Sequence, residues 1–184
     1  MVRRVWEDAL GREVRSLLMR VLFLDFDGVL NYTRLYAEHR MVIRTNQMAK
    51  WRALICPQRC ALVERVCREA GARVVISSSW QYQHPLEELR VILNSQGMRA
   101  PILGCTVGFV DDPGKEHILL AQARPQEIQG WLDRHHEVTD FAILDDMVEM
   151  GHLSHRLVRT YFHSGVTEEH VPMLLKLMGE GGER

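Results

Sequence analysis

The chain has 184 residues, 46% of them apolar and 26% charged, with a formal net charge of −1. Such a chain builds one globular domain with a sizeable core and exerts no global pull on nucleic acid or on an anionic membrane. No apolar run is long enough to cross a bilayer and no signal-peptide pattern opens the sequence, so a cytoplasmic protein is expected. Residues 1–18 read as an extension of a domain spanning 19–179. Within it Trp6, Leu10, Val14, Leu17 and Leu18 recur at roughly helical spacing, as in an amphipathic helix docked on a core, and Met19 is an alternative start. Val21-Leu22-Phe23-Leu24 is an unbroken apolar run bounded by Asp25-Phe26-Asp27-Gly28, the pattern of a central strand in a parallel sheet. An irregular insertion follows, about 32–56. Pro57 then opens a helix carrying Leu62, Val63, Val66 and Cys67, closed by Gly71.

Arg73-Val74-Val75-Ile76 reads as a second strand, ending in Ser77-Ser78-Ser79-Trp80. Pro85 opens a helix with Leu86, Leu89, Ile92 and Leu93 as its apolar stripe, ending near Gly97. Ile102 to Val107 reads as a third strand, and Arg124-Pro125 as the start of a helix with Ile128, Trp131 and Leu132 inward. Phe141-Ala142-Ile143-Leu144 is a fourth strand, ending in Asp145-Asp146, and Leu157-Val158 a short fifth. Thr167 caps the last helix, whose dipole Glu168 and Glu169 suit, with Leu174, Leu175 and Met178 inward; 180–184 read as a flexible tail. This alternation predicts a three-layer α/β domain with a mainly parallel sheet, whose strand order the pattern does not fix. Cys56, Cys60, Cys67 and Cys105 match no paired zinc spacing and read as buried free thiols. His135-His136 and His152/His155 read as surface or helix-end residues.

Three of these strands end in small polar or acidic residues: Asp25/Asp27, the serine run from Ser77, and Asp145/Asp146. In a parallel sheet, ligands bind just outside the carboxyl ends of the strands. Gly28 lets the chain turn sharply there. Two carboxylates as close as Asp25 and Asp27 repel each other and call for a cation or a shared proton.

In sequence order these endings resemble the motifs of the haloacid dehalogenase (HAD) superfamily: DxDGV, an apolar run ending in Ser, a basic residue, and an apolar run ending in Asp-Asp. Arg124, in Ala123-Arg124-Pro125-Gln126-Glu127-Ile128, stands in the place of the basic residue. Four segments are similar, more narrowly, to the HAD domain associated with Swiss Army Knife RNA repair proteins. They are Asp27-Gly28-Val29-Leu30-Asn31, Ile76-Ser77-Ser78-Ser79-Trp80, Glu127-Ile128-Gln129-Gly130-Trp131-Leu132 and Ile143-Leu144-Asp145-Asp146. The resemblance implies a Rossmann-like strand order and an Mg²⁺-dependent phosphomonoesterase. In it Asp25 is the nucleophile that forms an aspartyl-phosphate, and Asp27 is the acid/base. Ser77 hydrogen-bonds the transferring phosphoryl group with help from the Ser78 amide, and Arg124 balances charge. Most relatives carry Lys in that last role, with Lys115 the second choice here; Arg offers a planar fork suited to phosphate. Metal ligands would be Asp25, the Asp27 carbonyl and Asp145, with Asp146 direct or through water. Glu149 is the weaker fourth carboxylate, since many relatives have Asp at that spacing.

The insertion holds Arg34, Arg40, Arg44, Lys50 and Arg52 against Glu38, a local net charge of +4. It follows the nucleophile directly and is predicted to form a flap over an open site, without a large cap domain. Tyr32, Tyr36, Trp51 and Trp80 are aromatic and could stack on a base. The expected substrate-binding set is Ser78, Trp80, Arg44 and Trp51, and the expected substrate is a nucleotide or a nucleic-acid 5′ or 3′ phosphate end. A mildly basic flap pinned by its aromatics is the bland alternative. A small phosphosugar or phosphoprotein substrate, and a HAD-fold binding or regulatory module with weak catalysis, are the competing functions. Neither the oligomeric state nor the pathway is legible.

Overall fold

The computed structural model describes residues 19–38, 47–107 and 120–179. The proposed N-terminal helix, the tail, Arg40, Arg44 and Lys115 lie outside them. Among the described residues five parallel strands form one sheet: β1 (Met19–Leu24), β2 (Ala72–Ile76), β3 (Ile102–Cys105), β4 (Val138–Asp145) and β5 (Leu157–Arg159), in the order β3-β2-β1-β4-β5. The described helices are α1 (Thr33–Glu38), α2 (Gln47–Ala53), α3 (Pro57–Ala70), α4 (Leu86–Ser95), α5 (Leu120–Leu132) and α6 (His170–Gly179), with 3₁₀ turns at Ser79–Tyr82 and Gly151–Arg156.

Alternation along β1 divides the core in two. Leu22 and Leu24 point into one face, where they meet Val63 and Val66 of α3, Leu89 and Ile92 of α4, and Leu174 and Met178 of α6. Val21 and Phe23 point into the other, against Ile128 and Trp131 of α5, Met150, and Leu153 of the second 3₁₀ turn. Phe23 meets Trp131 edge-on at 5.5 Å and Phe141 at 5.8 Å. Because β1 is apolar on both faces it takes the centre of the sheet, as its sequence requires. Cys56, Cys60 and Cys67 are buried, Cys105 is half-buried and all four are free; burial pushes Cys60 and Cys67 up to about 12. No described helix is long and apolar enough to cross a membrane.

Several boundaries differ from the sequence reading. The insertion is not wholly irregular, since α1 and α2 lie within it. Helix α5 begins at Leu120, not at Arg124-Pro125; Pro125 sits inside it and costs one i→i−4 bond near the start. Strand β3 stops at Cys105, because Thr106 turns its hydroxyl to Gln81 and Glu127. The last helix starts at His170, where Thr167 N–H donates to the His170 imidazole in the manner of a capping box, leaving Glu168 and Glu169 in the preceding turn.

Candidate active site

Sheet register builds the site. Leu24 pairs with Ile76 on one side and with Leu144 on the other, so the next residue of each strand falls in one row. Asp25 N–H donates to the Leu144 carbonyl at 3.0 Å and Ser77 N–H to the Leu24 carbonyl at 2.9 Å, which aligns Asp25, Ser77 and Asp145 across the carboxyl ends of β1, β2 and β4. Asp25, Ser77 and Asp145 share the strand parity of Phe23, Val75 and Ile143, which all face α5. On α5 the residue one turn before Ile128 is Arg124, and it points up the same helix face.

The Arg124 guanidinium therefore lies beneath the acidic row. It donates to Asp145 Oδ2 at 2.7 Å and to the Ser77 carbonyl, and stands 3.4 Å from Asp25 Oδ1. Asp145 Oδ1 accepts the Met147 N–H at 2.9 Å. Asp25, Asp145 and Asp146 each bring a carboxylate oxygen within 4.8 Å of the others. Glu149 is exposed and outside this cluster.

One arginine does not neutralise three carboxylates. Burial pushes Asp25 up to about 8, against the pull of Arg124 and with the push of Asp145. Burial raises Asp145 as well, again opposed by Arg124. Asp146 is raised by burial and by Asp27, with Arg124 and Arg159 pulling the other way. Asp25 Oδ1, Ser77 Oγ and Ser78 Oγ are buried without a hydrogen-bond partner. Buried polar atoms in this condition call for a partner such as a water, an ion or a ligand. Hard carboxylate oxygens of Asp25, Asp145 and Asp146, with more negative charge than Arg124 balances, fit a divalent cation.

Asp27 stands apart from that cluster. The chain turns after Phe26, whose carbonyl receives the Val29, Leu30 and Asn31 N–H groups. The Asp27 carboxylate then accepts from Asn31 Nδ2 at 2.7 Å, Tyr36 Oη at 2.9 Å, Trp80 Nε1 at 3.1 Å and Ser79 Oγ at 3.3 Å. As a metal ligand, Asp27 is thus left with its backbone carbonyl. Gly28 holds φ at +68°, and a Cβ there would lie 2.2 Å from Asp146 Oδ2, so any side chain would displace that carboxylate. The Thr160 hydroxyl secures the turn from β5 through the Gly28 carbonyl, at 2.7 Å.

The aromatic assignments need correction. Trp80 is buried, edge-on to Phe26 at 5.4 Å and to Trp51 at 4.8 Å, with its indole N–H on Asp27. It has no face left for a base. Trp51 packs edge-on against Trp80 and His84, with Lys50 Nζ 4.3 Å from its ring centre, and so pins the flap to the core. Arg34 is taken up by Glu38 at 2.6 Å. Sequence reasoning gave no role to Asn31 and none but stacking to Tyr36; the four-residue step from Asp27 to Asn31 was the available signal for the first.

A parallel sheet in this order, with an acidic row at its carboxyl edge over a basic residue, defines a HAD-type α/β core. Residues 21–171 match the family described as the HAD domain in Swiss Army Knife RNA repair proteins, and the chain belongs to that family. Such domains are in general hydrolases of the phosphatase kind, and the cluster of Asp25, Asp145 and Asp146 is compatible with metal binding. No curated protein matches the chain, and no solved structure does.

Proposed function

We propose that the protein is an Mg²⁺-dependent phosphomonoesterase acting through an aspartyl-phosphate on Asp25. The observation that carries this reading is the row of Asp25, Ser77 and Asp145 above Arg124, with the Ser77 hydroxyl buried and without a hydrogen-bond partner. Asp25 attacks phosphorus, the ester P–O bond breaks, and Asp27 gives a proton to the departing oxygen. Asp27 then takes a proton from the water that hydrolyses the acyl phosphate, returning Asp25 and releasing phosphate. Ser77 and the Ser78 amide hold phosphoryl oxygens, and Arg124 balances the charge that gathers on Asp25. Mg²⁺, held by Asp25, Asp145, the Asp27 carbonyl and Asp146, would neutralise the phosphoryl oxygens so that an anion can approach an anion. The substrate class we favour is a nucleotide or nucleic-acid phosphate end, supported by the RNA-repair description of the family and by the basic insertion.

The test is phosphate release from nucleotides, 5′- and 3′-phosphorylated oligonucleotides, phosphosugars and phosphopeptides. Release is expected with Mg²⁺ and not in EDTA. A folded protein that releases nothing from any class would instead be a binding module.

A second expected result concerns the four donors on Asp27. Trp80→Phe and Tyr36→Phe each remove one of them, so the proton meets the leaving oxygen less often. The value of kcat/KM for alkyl phosphates should fall about tenfold or more, a part of what a general acid contributes. Nitrophenyl phosphate, whose leaving group needs no proton, should lose much less. Equal losses on both would make Trp80 and Tyr36 purely structural.

A further inference from the structure

Five large apolar side chains are exposed among the described residues, and three of them, Val148, Tyr161 and Phe162, lie just past the carboxyl ends of β4 and β5. That is the catalytic edge of the sheet. Tyr161 is 50% and Phe162 43% exposed, yet their loop is firmly built. The Ser164 and Gly165 N–H groups both donate to the Tyr161 carbonyl at 2.9 Å. The Thr33 N–H donates to the Phe162 carbonyl at 2.9 Å, with the Thr33 hydroxyl at 3.2 Å. Gly165 is pressed against Val29, where a Cβ would meet the carbonyl oxygen at 2.7 Å. A loop fixed this well could bury its aromatics, and it presents them to solvent instead.

What surrounds the two rings is equally directed. Phe162 stacks on Tyr36 with centroids 5.8 Å apart and planes 26° apart, which covers one face. The hydroxyl of that same Tyr36 donates to Asp27, so a single side chain links Phe162 to the proposed acid/base. Arg159, paired in register with Asp145, lays its guanidinium 4.9 Å from the Tyr161 ring centre. Its Nε is buried without a hydrogen-bond partner, and its charge reaches Asp146 at the edge of the acidic row. An aromatic step carrying a cation, next to a phosphate-handling site, has the chemistry of a single-stranded nucleic-acid platform.

We infer that Phe162, Tyr161 and Arg159 form the strand-binding platform of this enzyme. The terminal base stacks on the open face of Phe162, the next nucleotide lies on Tyr161, and Arg159 neutralises the phosphodiester between them. The inference rests on the phosphatase reading of the adjacent site, and it replaces Trp80 and Trp51 as the base-stacking residues.

Binding is the discriminating measurement. Fluorescence anisotropy of a short single-stranded oligonucleotide with a terminal phosphate, in EDTA, reads the platform without turnover. Tyr161→Ala and Phe162→Ala should each weaken binding roughly five- to hundredfold, the span for one stacked base, and Phe162→Trp should restore it. Arg159→Gln should lower the slope of log K against log salt by about one. Unchanged affinity in the alanine variants, an abasic strand that binds as well, or a phosphopeptide that competes as well would overturn the platform. Binding with these dependences but no phosphate release from any ester would remove the phosphatase reading and leave the platform standing. Release from phosphosugars with no oligonucleotide binding would do the reverse.

Discussion

Asp25→Asn should abolish phosphate release while making the metal-free protein more stable. The amide keeps the shape of the carboxyl group but offers no anionic oxygen to attack phosphorus. Loss of a catalytic nucleophile costs on the order of a thousandfold or more in kcat. The stability change has the opposite sign because of where Asp25 sits. Burial and Asp145 lift its carboxyl from the ordinary 3.8 up to about 8, with Arg124 only partly opposing them. A carboxyl group raised in the folded state favours folding while it is protonated, so wild-type stability falls as pH rises from about 4 through 8. Asp25→Asn removes that fall, and its advantage in melting temperature in EDTA should widen over the same range. Mg²⁺ should reverse the order by stabilising the wild type more. Near-normal hydrolysis of an aryl phosphate by Asp25→Asn would end the nucleophile assignment, and a melting difference flat with pH would end the account of its charge.

The acidic row was legible in the sequence because its cause is local. An apolar strand that stops at a carboxylate, repeated at Leu24-Asp25 and Leu144-Asp145, needs only parallel register to bring those carboxylates side by side. Ser77 follows from the same rule, whereas Arg124 was placed by the motif order of the resembled family, and the helix that carries it seats it one turn ahead of Ile128. The order of the strands was not legible, since alternating elements are compatible with many crossovers. Nor was the cage around Asp27. It depends on a 3₁₀ turn that swings Trp80 inward and on α1 bringing Tyr36 back over the motif, and neither leaves a periodic trace. Trp80 was read as a stacking residue for that reason: a tryptophan after a functional strand looks the same in sequence whether it faces solvent or the core. Tyr161-Phe162 escaped notice because a three-residue strand carries too little pattern to show that its end lies on the catalytic edge.

Arg124→Met should destabilise the metal-free protein by roughly 3–5 kcal/mol at alkaline pH, the usual consequence of leaving buried charge uncompensated. Methionine fills much of the same volume, so packing is largely kept and the loss is electrostatic. The guanidinium that holds Asp145 at 2.7 Å and faces Asp25 at 3.4 Å is gone, and both carboxylates remain buried. They can relieve the strain only by keeping a proton, which raises their folded-state pKa further. Asp25 is held up at about 8 even with Arg124 present, so below that pH both proteins carry it neutral. Its share of the deficit opens only above 8 and grows as pH rises, and Asp145, also raised by burial and held down by Arg124, adds to it. A divalent cation supplies positive charge to the same carboxylates and should narrow the gap. Arg124→Lys, which restores one charge but not the forked contacts, should recover most of the stability. Denaturant unfolding from pH 5 to 10, with EDTA and with Mg²⁺, reads all of this. A deficit that is constant across that range, or unaffected by the ion, would show that Arg124 acts through packing and not as the counter-charge of the acidic row.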